Sequence, residues 1–309
     1  MLPGPDFAKL YIVGSVNVDV MLGTLDALPP RGTEILMRRS ECRVGGNAAN
    51  AALAFRALGG GCQVVSNIGA DMFGDWVAGH FPADSRGWPR SDRPTTLTIG
   101  LAHSDGERTF LTTQGHLAAF RPDDVLAQLP ERAAPGDIAL LCSPFLSPDI
   151  MDGLRALIEA VRGRGFATAL DTGWPLDGWS DGIRSKTAEW LALTDHVLMN
   201  EIEVLGLADT DRLDDALARL NSRLAPGATL VVKRGSLGAT AWRRAETASV
   251  AAPRVEVIDT IGAGDIFNAG YLYSCMQGRP LADCLSLGIE TASHAISTAP
   301  RHYRPRRRA

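Results

Sequence analysis

The sequence predicts an α/β protein built on a mostly parallel sheet with a smaller β insertion, and three observations carry that expectation. Short apolar, β-rich runs alternate with helical stretches along most of the 309 residues. Polar or charged residues stand directly after four of these runs, where an open parallel sheet binds its ligands. Between residues 94 and 113 the alternation breaks, and two β-rich runs flank "SDGER".

The elements follow in order. "KLYIVGSVNVDVML" opens with a short strand ending near Gly14, after which Asn17 and Asp19 alternate with Val16, Val18 and Val20. That alternation puts the two polar side chains on one face of a strand. "GGNAANAALAFRALGG" reads as a Gly-Gly turn entering an Ala-rich helix that stops at the glycine run 59–61. "CQVVSNIGADMFGDWVAGHF" follows as strand, polar loop and helix. Asp105-Gly106 is a hairpin signal, so segments about 15–45 and 94–114 are expected to form a small lid. The alternation resumes with "DIALLCSP", a helix over 148–163, "FATALDTG", a helix over about 183–193, "DHVLMNEIEVLGL", a helix over 211–224 and "ATLVVKRGSLGATAW". "RVEVIDTIGAGD" reads as a last strand and turn ahead of two final helices. Nothing resembles a linker or an internal repeat, so residues 1–309 are read as one domain whose basic tail, 301–309, is a solvated, mobile end.

Composition narrows the function classes. A chain this long buries a sizeable core, and 45% hydrophobic with 21% charged residues is ordinary for a globular protein. A formal net charge of -4 supplies no field to gather nucleic acid or an anionic membrane. The five cysteines lack metal-ligand spacing and read as reduced thiols. With no signal-peptide pattern and no run of eighteen apolar residues, a cytoplasmic location is expected.

Chemistry is expected where the strands end. Asp171 follows "FATAL", Asn200 and Glu203 follow "DHVLM", Lys233 and Gly235 follow "TLVV", and Asp259 to Asp265 follow "VEVI". In "IDTIGAGDIFNAG" the small residues Gly262, Ala263 and Gly264 let backbone N–H groups converge on an anion at the positive end of a helix beginning near Asp265. Asp265 then reads either as a base for an attacking hydroxyl or as a simple helix cap. Neither G-x-G-x-x-G nor G-x-x-x-x-G-K-[ST] occurs, which argues against a dinucleotide-binding dehydrogenase and a P-loop NTPase.

"DTIGAGDIFNAG" resembles the C-terminal signature of the ribokinase-like (PfkB) carbohydrate kinases, and "VGGNAANAALAFRALG" resembles their N-terminal glycine-rich signature. "GSVNVDV", "NIGADMFGDWV", "MNEIEVLGL" and "VVKRGSLGATAW" fall between them in the family's order, so the resemblance covers roughly residues 10 to 300. It implies a ribokinase-like three-layer sandwich with a central, mostly parallel sheet and a small β-sheet lid. It also implies an ATP-dependent kinase acting on a primary hydroxyl of a small sugar or sugar acid, with a nucleoside kinase or a non-catalytic sugar sensor as alternatives.

Carried over by residue, the resemblance makes Asp265 the catalytic base and Gly262, Ala263 and Gly264 the hole for the transferring phosphoryl group. Asn17 and Asp19 match the polar pair that binds sugar hydroxyls, and Gly45, Gly46 and Asn50 match the loop and helix start closing round the sugar. Asn47 stands where ribokinase itself has a lysine, and Cys142 where it has a glutamate that touches the sugar, departures that put ribose in doubt because such changes can redirect specificity. Asn200 and Glu203 match residues that hold Mg2+ and phosphate through water, and Lys233, Gly235 and Gly238 match the segment along the nucleotide. Asp259 and the Ile261 carbonyl match part of a monovalent-cation site, which would hold K+. Pairing of two lids in a homodimer is implied as well.

Overall fold

A strand covered by helices on both sides needs apolar side chains in both directions. "LYIV", "IALLC" and "TLVV" are buried throughout in the computed structural model, which describes residues 8–104 and 108–305. β1 (Leu10–Val13) leads to β2 (Asn17–Leu25), β3 (Arg39–Gly45) and α1 (Asn47–Ala57). β4 (Cys62–Val65), β5 (Ile68–Gly69), α2 (Met72–His80) and β6 (Arg90–Ser91) precede the paired strands β7 (Leu97–His103) and β8 (Arg108–Thr112). The Asp105-Gly106 turn signal between them lies outside the described residues.

Next come α3 (Pro122–Gln128), β9 (Ile138–Cys142), α4 (Pro148–Gly163), β10 (Ala167–Asp171), α5 (Asp181–Leu191) and β11 (His196–Asn200). α6 (Glu201–Ala208), α7 (Leu213–Asn221), β12 (Thr229–Lys233), β13 (Ala239–Arg243) and β14 (Glu246–Val250) follow, and α8 (Ala263–Met276) and α9 (Leu281–Ile296) end the fold.

The main sheet runs β14-β13-β12-β11-β10-β9-β1-β4, parallel except for the antiparallel β12-β13-β14 edge. Strand pleating divides the core in two. Leu10 and Ile12 pack with Phe55, Tyr271 and Leu285 of α1, α8 and α9, while Tyr11 and Val13 pack with Leu154, Leu157, Trp190 and Leu220 of α4, α5 and α7. These are the three layers that the resemblance implies. A second sheet, β3-β2-β7-β8, is antiparallel except between β2 and β7.

"RVEVI" departs from its expected strand: residues 251–262 pair with no strand, and Val255, Val257 and Ile258 are exposed. The sheet edge here is β14, whose polar "ETASV" gave no apolar signal. The chain must return from that edge to the start of α8, and on the way Ile258 N donates to Ile296 O at the end of α9 (2.8 Å). Of the tail, residues 306–309 lie outside the described residues, and the Arg301 side chain at its start is only 9% exposed.

Candidate active site

Parallel register aligns the strand ends: Asp171 lies opposite Cys142, and Asn200 opposite Lys233. α8 approaches this edge with its N-terminus. Its cap is Gly262, at φ 70°, a left-handed conformation that glycine adopts without strain. A Cβ at Gly262 would lie 2.5 Å from the Asn50 amide nitrogen, and one at Gly264 would lie 3.5 Å from Lys233 Nζ. The helix therefore begins two residues earlier than expected, and Asp265 is the third residue of its first turn. That position excludes the cap reading of Asp265. Asn50 Nδ2 donates instead to Asp265 Oδ2 at 3.1 Å, joining the α1 start to α8.

Below Asp265 lies a charged cluster. Lys233 Nζ donates to Asp171 Oδ2 at 2.7 Å and to Asn268 Oδ1 at 3.3 Å, and Asn268 also donates to Asp171. Burial pushes the Asp265 carboxyl up to about 8, and the Asp171 charge adds to this, while the Asn50 hydrogen bond and Lys233 oppose it. Glu203 rises to about 7 for the same reasons, burial first and Asp171 second. For Lys233 burial favours the neutral amine, but the charges of Asp171 and Glu203 outweigh it and hold the ammonium.

The residues matched to the nucleotide and Mg2+ segments have these surroundings. The Lys233 side chain, 12% exposed, is held in the Asp171 ion pair. Asn200 and Glu203 form a reciprocal capping box at α6: Glu203 N donates to Asn200 Oδ1, and Asn200 N and Nδ2 donate to the two Glu203 oxygens, all at 2.8 Å. Glu203 is thus buried and not a solvated acid at a helix start. Gly235 is exposed, whereas Gly238, at φ 96°, passes so close to Val250 that a Cβ would overlap its carbonyl. Gly238→Ala is expected to cost about 1–3 kcal/mol in urea unfolding through strain at this turn. Wild-type stability would show that the turn adjusts.

On the opposite wall, Asn17 and Asp19 of β2 are buried, and Asn17 Nδ2 donates to Asp19 Oδ1 (2.7 Å) and to Thr98 Oγ1 of β7 (3.2 Å). Burial raises the Asp19 carboxyl, while Arg43 and the Asn17 hydrogen bond work against the shift. A side chain at Gly45 would fall onto the Asp19 carboxylate, and one at Gly46, φ 91°, onto Ser15 O and Asn17. Asn47 Oδ1 accepts from Ser15 N (2.9 Å) and Ala48 N (2.8 Å), so this oxygen braces the β1–β2 turn. Cys142 is buried beside Gly14, and Asn47 Oδ1 lies on the same glycine.

Four residues of the assembly had no specific role assigned on sequence grounds, Asp171 being named only for its place at a strand end: Asp171, Asn268, Arg43 and Arg301. Asp171 had a signal in its place after a strand, and Asn268 in the same stretch as Asp265. The two arginines had none, since they lie 216 and 42 residues from their shared partner, Asp259. Asp259 and Ile261, matched to a monovalent-cation site, face these guanidinium groups.

Among the described residues no three His, Cys, Asp or Glu side chains group to hold a metal ion. The donor set suits Mg2+ carried mainly by phosphates and water, because Asp171, Asp265 and Glu203 crowd round one buried lysine and the Asp265 and Glu203 carboxyls are raised by that crowding and by burial. No helix among the described residues is long and apolar enough to cross a membrane.

A phosphotransferase of the ribokinase fold is the class these layers and this helix N-terminus define. The sequence profile of the pfkB family carbohydrate kinases matches residues 8–300, and the chain belongs to that family. It is 30% identical over 276 residues to a fructokinase of Klebsiella pneumoniae, covering 85% of this chain and 83% of that protein. The structure of Arabidopsis thaliana ribokinase complexed with ribose and ATP superposes with a TM-score of 0.75 at 24% identity, over 94% of this chain and 93% of that one. An Escherichia coli neighbour solved with ATP and Mg2+ has a TM-score of 0.79 at 21% identity, over 94% of each chain. The protein is a sugar kinase, a phosphotransferase with an alcohol acceptor.

Proposed function

We propose that the protein transfers the γ-phosphoryl group of ATP to a primary hydroxyl of a small sugar or sugar acid, with Asp265 as general base. The observation that carries this reading is the Asp265 carboxyl, held by Asn50 in the first turn of α8 beside Gly262, Ala263 and Gly264. A carboxylate there accepts the hydroxyl proton as oxygen attacks phosphorus. The α8 N-terminus favours the charge on the group in flight, and its small residues admit that group to the backbone. Asn17, Asp19 and Asn50 supply the donors and acceptors that orient a polyol across from the base. Glu203 is the side chain that would meet Mg2+ through water, and the ion, when bound, offsets the charge of the triphosphate. The buried Asp171–Lys233 pair sets the local field.

ADP release across ribose, fructose, 2-keto-3-deoxygluconate, tagatose-6-phosphate, adenosine and inosine tests the reading. One of the sugars or the sugar acid is expected to give turnover well above the acceptor-free rate. Release driven only by a nucleoside would reassign the acceptor, and release with no acceptor would sink the proposal. The exposed Phe110 and Leu111 on the edge strand β8 support pairing of this sheet with a second copy, and light scattering at the monomer mass would refute that pairing.

A further inference from the structure

Arg301 gathers the oxygens of the turn that leads into α8. Its Nη1 donates to Ile261 O at 2.8 Å, and its Nη2 to Asp259 O at 3.3 Å and Asp259 Oδ2 at 2.5 Å. Arg43 Nη1, from β3, donates to the same Oδ2 at 2.6 Å, and Asp259 Oδ1 closes the turn by accepting from Ile261 N at 2.9 Å. Two carbonyls and a carboxylate converging on one point form an oxygen set that a weakly hydrated monovalent cation would coordinate. Here the planar fork of one guanidinium spans all three. Asp259, with Asp19 at longer range, faces two guanidinium groups, and the Arg301 side chain is 9% exposed. A K+ ion would have to displace Arg301 or sit against two like charges at low dielectric.

We propose that Arg301 is a built-in cation: it holds the Asp259–Ile261 turn, and through it the Gly262-Ala263-Gly264 backbone, in working position, and so removes any need for K+. This rests on the kinase reading above and makes Arg301 a positioning residue, since it touches the turn and not the reacting atoms.

The test is a comparison of salts at matched ionic strength. Wild-type turnover is expected to differ less than about twofold between KCl and tetramethylammonium chloride, and its thermal midpoint to be the same in both. Arg301→Met is expected to lose roughly 10- to 100-fold in kcat in tetramethylammonium, with sugar KM little changed, because the anion turn shifts while the sugar wall stays. K+ or low guanidinium should restore at least part of that loss and raise the variant's thermal midpoint, and Arg301→Lys should work without K+. Strong K+ activation of the wild type overturns the proposal, as does full activity of Arg301→Met in tetramethylammonium. Loss of activity that neither cation nor Arg301→Lys restores gives Arg301 a purely structural role, which also overturns it. The midpoint comparison needs no substrate, so it decides on Arg301 even if no acceptor gives ADP.

Discussion

Asp265→Asn is expected to lower kcat by about 10²- to 10⁴-fold while sugar KM and nucleotide affinity stay close to wild type. Asparagine keeps the shape and can still accept the 3.1 Å bond from Asn50, so binding survives while the proton loses its acceptor. Calorimetric titration of nucleotide beside ADP release checks both halves, and near-normal turnover removes Asp265 from the mechanism. The same variant has a stability signature. The Asp265 carboxyl, raised from 3.8 to about 8, binds its proton more tightly folded than unfolded. Its contribution is therefore fully present below the unfolded value and is lost as pH rises through about 8. Wild-type thermal midpoints should fall over that window, and Asp265→Asn should flatten the fall and be the more stable protein at the alkaline end. On the proposed mechanism, Asp265 is a functional residue held at a cost to the fold.

Lys233→Met should be the most damaging single change in the cluster. It leaves Asp171, Asp265 and Glu203 facing one another without the ammonium that now lies 2.7 Å from Asp171. Breaking one side of a buried pair costs about 3–5 kcal/mol, whereas removing both partners costs less. Urea unfolding should show that loss for Lys233→Met and a partial recovery in Lys233→Met/Asp171→Asn. Because Lys233 lowers the Asp265 pKa, the acid limb of kcat/KM should also move to higher pH in the single variant. Unchanged stability together with an unchanged pH profile would show that Lys233 is not the counter-charge.

Glycines and strand alternation made much of the molecule legible. Asn17 and Asp19 face one way because a strand repeats every two residues, and the run of buried apolar strands announces a covered sheet. Gly262 and Gly264 marked the turn into α8, whose cap takes the left-handed conformation that glycine adopts without strain. Three things were opaque. "RVEVI" had strand composition, but whether a segment pairs depends on where the chain must go next, and this one returns to the start of α8. The direction of Lys233 follows from Asp171, 62 residues away in sequence. The arginines at Asp259 left no local pattern, because an ion pair between distant segments constrains neither spacing nor propensity.

The two walls of the cleft differ in how firmly they are built. Asp265 rides on α8, where Ile266 through Leu272 are all buried between α9 and the main sheet. Asn17 and Asp19 belong to a four-stranded sheet whose edge carries exposed Phe110 and Leu111 and whose β3 begins with four exposed residues. Mutational tolerance follows that division. On the proposed reading, replacements drifting through the small sheet reshape the acceptor side one contact at a time, while nearly any change along α8 disturbs the core first. Such an arrangement is evolvable: on that reading a lineage explores new acceptors on one wall without dismantling the proposed chemistry on the other.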